Sequence, residues 1–238
     1  VNTTCFKRIE QALHSERLSV YCRDGVDECT TLARYAMNMA LSEALYPALQ
    51  FAEITLRNGI HTALSARFNT TEWYDLGTYI TGWQADQIRD ARESITTAGK
   101  AITPDRIVAE LNFGFWTAFF NRYHARTGLG HHLASRVFCH APESARDLAK
   151  LDLRWKKIRD LRNRIFHHER IIHWKDLDDQ HARMLEIIGW ISPDLREMAH
   201  LLDRYCRIRS EGLRPWIDRI SQNWPAATSA SIRKTKSP

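Results

Sequence analysis

Arg162, Asn163, His167 and His168 fall within one short stretch, IRDLRNRIFHHE at 158–169, with Arg164 and Glu169 interleaved. No other segment gathers as many groups able to hold a phosphate and move a proton. RNA can be cut without a metal when its 2′-hydroxyl attacks the adjacent phosphate. One group must take that proton, another must protonate the leaving oxygen, and a third must steady the extra charge. Histidine suits the first two tasks because its unperturbed pKa is about 6.5. Arginine suits the third, offering two donors in a plane and staying charged. Asn163 can fix the imidazole or the phosphate. One helix supplies only one such set, so the chemistry asks for two chains with the stretch facing itself.

A helix must position these groups. Leu148, Leu151, Trp155, Ile158, Leu161 and Ile165 recur at steps of three and four, the period of a helix buried on one side. Ser144 followed by Asp147, with Pro142 just ahead, reads as its capping pair. On a regular helix Asn163 and His167 project from nearly one face, whereas Arg162 and His167 lie about 140° apart. The helix must therefore bend or end here, or Arg162 must act elsewhere. An arginine five places before a histidine occurs twice, and the other instance, Arg126 to His131 around TGLG, reads as a loop.

With LRNRIFHHE at 161–169, FAEITLRNGIH at 51–61 and LNFGFW at 111–116, the chain resembles the HEPN domains, and among them the Abi-like proteins of bacterial abortive infection, a form of phage resistance. The first segment carries the family's RNxxxH signature intact; the other two are looser. The resemblance implies that most of residues 30–200 follows that family: an all-α, multi-helix HEPN-like bundle with flanking helices, acting as a dimer. It implies that Arg162 and His167 are catalytic and that Asn163 assists, in a cleft shared by two protomers. The activity implied is a metal-independent endoribonuclease leaving a 2′,3′-cyclic phosphate, working in phage defence or as a toxin, with an antitoxin or defence-system protein as partner. The alternative is a non-catalytic HEPN protein that binds RNA or a nucleotide, or serves as a scaffold, with the same motif at its dimer interface.

Glu53, Arg57 and His61 recur every four residues in the second of those segments. Such a stripe is either a solvated Glu–Arg pair worth a few tenths of a kcal/mol or a face turned toward the 162–167 stretch. Its match to the family's LRN segment favours the second, in which Glu53 orients Arg57 or a catalytic group and Arg57 with Asn58 holds phosphate. His61 and His168 complete the supporting set.

The composition fits a polyanion partner. The 238 residues carry a formal net charge of +6, and arginines outnumber lysines 26 to 8. Arg binds phosphate in a bidentate fork and stacks on bases, which suits RNA, although a GC-rich genome gives the same bias. Five cysteines, Cys5, Cys22, Cys29, Cys139 and Cys206, are an odd number without a CxxC, and with no export signal they read as reduced, mostly buried thiols of a cytoplasmic protein. No apolar run is long enough for a membrane span. Zinc at His131, His132, Cys139 and His140 matches no standard ligand spacing, so no metal and no cofactor is expected. HExxH, GxSxG and a Gly-rich phosphate loop are absent from the sequence.

Periodicity predicts helices over 5–18, 28–46, 47–68, 84–97, 104–124, 178–191, 193–209 and 211–223 besides the central one. Pro47 should kink or restart the chain. Gly114 implies a close helix crossing. Residues 69–84, with Trp73, Tyr74, Tyr79 and Trp83, read as an irregular connection whose aromatics either stack bases or cover the core. One domain over 1–224 and a disordered basic tail over 225–238 complete the expectation.

Overall fold

A computed structural model describes residues 3–223, so the predicted tail at 225–238 lies outside the described residues. Those residues are helical with no strand among them. In chain order the helices are α1 (Thr3–Leu13), α2 (Ser15–Ser19), α3 (Glu28–Phe68), α4 (Gly82–Thr97), α5 (Pro104–Glu110), α6 (Phe113–Thr117), α7 (Arg122–Arg126), α8 (Leu129–Val137), α9 (Leu148–Phe166), α10 (Leu177–Ile191), α11 (Pro193–Leu202), α12 (Tyr205–Glu211) and α13 (Arg214–Asn223). The chain divides into two compact units, residues 1–44 with 204–238, and residues 45–203.

In the first unit the edge of Tyr21 meets Tyr35 at 5.3 Å, and Arg34 donates to the Tyr21 and Arg23 carbonyls. The predicted first helix is broken in two by His14, which takes a positive φ of 70°. Arg204 pairs with Glu43 at 2.8 Å across the ends of the unit's two chain segments.

The second unit holds the aromatic core. Trp73 meets the rings of Phe115, Trp116 and Phe119, and Leu56, Ile60 and Leu64 of α3 are buried as well. Trp73 and Tyr74 thus cover the core, as one of their two sequence readings holds, while Trp83 stays exposed. Pro47 does not divide the chain: α3 runs through it for 41 residues. A helix-interior proline removes one hydrogen bond, and here the apolar face on both sides of it, with Leu45, Ala48, Leu49 and Ala52 buried, carries the helix across.

The predicted helix 104–124 is instead three short ones. Asn112 and Asn121 are the cause: each side chain accepts backbone N–H groups of the following segment, from Phe115 and from Tyr123 and His124. Asparagine competes with the helix interior by capping the next helix instead. At Gly114 a Cβ would meet the Asn112 Oδ1 at 3.0 Å, the capping atom itself, and the Trp83 ring of α4 at 3.7 Å. Of the stretch Arg126 to His131, read as a loop, the residues from Leu129 on already belong to the helix α8, entered through a left-handed Gly128. Likewise 193–209 splits at Asp203 into α11 and α12. Cys22, Cys139 and Cys206 are exposed rather than buried.

Candidate functional site

The long helix α9 delivers the site. The six apolar residues picked out by spacing, from Leu148 to Ile165, are all buried. Burying one such side chain contributes about 1.5–3 kcal/mol, so the rotation of the helix about its axis is well determined. Trp155 is gripped edge-on by Phe113, and Arg159 donates to Thr117 Oγ1 at 2.9 Å. The cap is Asp147 alone, accepting from the Lys150 N–H; Ser144 lies in a separate turn.

The helix ends at the motif. His167 is its C-cap, with its N–H on the Asn163 carbonyl. His168 then takes the left-handed conformation at φ 56°. Its N–H meets the Ile165 carbonyl and that of Glu169 meets Arg164, the two bonds of a Schellman closure, with histidine where glycine is usual. An ion pair between Arg164 and Glu169 spans the same turn.

Arg162 is positioned from three sides. Its Nε lies 3.6 Å from Glu53 Oε2 on α3, and its Nη1 donates a long 3.4 Å bond to Asn163 Oδ1. The guanidinium also stacks over the ring of Phe166, one turn on, at 4.4 Å from its centre. Phe166 in turn meets Tyr46 at 5.8 Å, and both rings are partly exposed. Since Tyr46 precedes Glu53 while Phe166 follows Arg162, α3 and α9 run antiparallel here. The Nε of Arg162 is buried and has no hydrogen-bond partner, because Glu53 is too far for one.

Asn163 faces an open groove of about 420 Å³ that it shares with Asp160, Arg164, Glu169 and Trp174. His167 is exposed, and its imidazole has no hydrogen-bonding, ionic or ring partner among the described residues. No bond or ring contact joins Arg162 to His167 within one chain.

The chain matches no family model, no curated protein and no solved structure.

The predicted supporting stripe on α3 is divided among three neighbours. Glu53 meets Arg162, but Arg57 donates to Asn58 Oδ1 at 3.2 Å. His61 accepts the Trp73 indole N–H on its Nδ1 at 3.0 Å, and burial pushes its pKa below the usual imidazole value. Asn58 lines a separate groove on the other side of α3. The structure therefore gathers Arg162, Asn163 and Glu53 with the end of α9, and sends Asn58 and His61 elsewhere. Phe166 was not singled out from the sequence, although its place four residues after Arg162 is the spacing at which helical side chains meet.

Proposed function

We propose that the chain is an RNA-binding, metal-independent endoribonuclease of the HEPN, Abi-like kind, acting as a homodimer in phage defence or as a toxin held by an antitoxin. The state of Arg162 carries this reading. Its guanidinium is oriented by Glu53 and Phe166, makes only a long hydrogen bond to Asn163 among the described residues, and leaves 32% of the side chain exposed. That is the state in which a cation binds a phosphate most profitably, prepositioned and not yet saturated.

In the mechanism, Arg162 and Asn163 hold the scissile phosphate and His167 exchanges the proton with the 2′-hydroxyl or the leaving oxygen. Because Arg162 and His167 do not touch within one chain, a second copy supplies the missing half. The exposed rings of Tyr46 and Phe166, beside Arg162, support a face where two copies meet.

The experiment is complementation. Purified wild type is expected to cleave RNA in the presence of a chelator, to leave 2′,3′-cyclic ends and to spare DNA. Arg162→Ala and His167→Ala chains should each be inactive, and mixing them should restore a measurable fraction, since one of the two composite sites is then intact. Cleavage by His167→Ala alone would end the proposal.

The Glu53–Arg162 pair favours one other reading, a non-cutting RNA-binding or scaffold protein in which this pair is structural. There Arg162→Ala would lower stability and dimerisation, and the wild type would cut nothing.

A further inference from the structure

A groove of about 650 Å³ in the second unit lies across α3 from the Glu53 side. Thr62 lies about 180° around the helix from Glu53, and it lines this groove with Asn58 and Ala66. The floor exists because side chains are missing. A Cβ on Gly59 would stand 3.1 Å from Val137 Cγ1, so α8 is drawn close there, and Ala63 and Ala66 leave the space above unfilled. The walls are apolar: Ile54, Val137, Ile191 and Leu195. The size falls within the roughly 300–1,000 Å³ of small-molecule sites.

Its charge is one-sided. Arg67, Arg136 and His132 line the groove and no carboxylate does. Neither arginine has an acidic partner among the described residues; Arg67 only lies over the Phe68 and Tyr79 rings. Burial disfavours protonation of His132, both guanidiniums add to that, and the Ala63 carbonyl opposes them. His132 Nε2 is buried with no hydrogen-bond partner. Two uncompensated arginines and an orphaned ring nitrogen at an apolar groove are the complement of one ligand class.

We propose that this groove binds a small organic anion, its apolar body over Gly59 and Ala63 and its phosphate or carboxylate head between Arg67 and Arg136. Apolar burial supplies contact area, and the arginine forks supply orientation.

Anilinonaphthalene sulfonate, an aromatic body with one anionic group, is the probe, titrated into the full chain by fluorescence. One molecule is expected to bind per chain and to be displaced by phenyl phosphate but not by phenol. Arg67→Ala/Arg136→Ala should weaken it by more than about tenfold, as loss of charge-assisted bonds does. Thr62→Phe, a substitution at an exposed position that fills the mouth, should weaken it as well, whereas His167→Ala should leave it unchanged. Equal affinity in wild type and both groove variants, or displacement by phenol as effective as by phenyl phosphate, overturns the proposal.

Discussion

His124 lies in a short helix and His167 at the end of a long one, each a few residues after an asparagine, and their surroundings give them opposite properties. His124 is fully buried against Phe119, its Nε2 3.0 Å from Gln84 Oε1, and burial pushes its pKa down to about 4. His167 stands exposed at the end of α9 with no side-chain partner among the described residues. Burial also lowers the pKa of His61, His132 and His181. A buried imidazole is kept neutral and serves packing, whereas the exposed one at the end of α9 is open to a ligand. The residue type is the same, and the environment selects the role.

The largest effect that would break this contrast concerns His167 itself. General acid–base catalysis contributes about 10²–10⁴-fold, so RNA cleavage by His167→Ala should fall by that order while its melting temperature stays unchanged. His124 should behave in reverse. Its folded pKa lies below the unfolded value of about 6.5, so the unfolded chain takes up the proton first and stability is lost as pH falls from about 6.5 to about 4. The loss over that window is about 3 kcal/mol. Urea denaturation of wild type and His124→Gln at pH 7 and pH 4.5 checks it, since the variant should lack most of that acid slope. An unchanged slope would mean that His124 is not held neutral.

His61 gives a smaller effect and tests the boundary of the site. Removing the acceptor of a buried indole N–H costs about 1–3 kcal/mol, so His61→Ala should lose that much stability through Trp73 while His61→Gln loses less. RNA cleavage per folded molecule should not change in either variant. A selective loss of cleavage in His61→Gln would return His61 to the site.

These cases show what could be read in advance. The buried face of α9 was legible because one helix with period-three-and-four spacing needs no partner to be recognised; all of Leu148, Leu151, Trp155, Ile158, Leu161 and Ile165 turn inward. The breaks at Asn112 and Asn121 were hidden, because the apolar spacing continues across them and only the capping bonds end the helices. Glu53 does face α9, where it meets Arg162 and not the Arg57 of its own helix. His61, two turns along the same helix, meets Trp73 instead, and that pairing depends on how a connection folds back. The groove beside Gly59 left no motif at all. It is made of atoms that Gly59, Ala63 and Ala66 lack, and of arginines from two helices far apart in the chain.

The smallest effect separates His167 from its neighbour. His168 holds φ at 56° to close α9, a conformation that glycine adopts without the Cβ penalty. His168→Gly should therefore raise stability by about 0.5 kcal/mol, the relief of the left-handed strain less the added freedom of the unfolded chain. A β-branched residue, as in His168→Val, should lower stability instead. Cleavage decides what the histidine is for. If His168→Gly is more stable and cuts RNA as well as wild type, the imidazole at 168 only terminates the helix, and proton transfer belongs to His167. If the stabilised variant cuts poorly, the strain at the end of α9 is retained for the chemistry, and both histidines of the pair belong to the site.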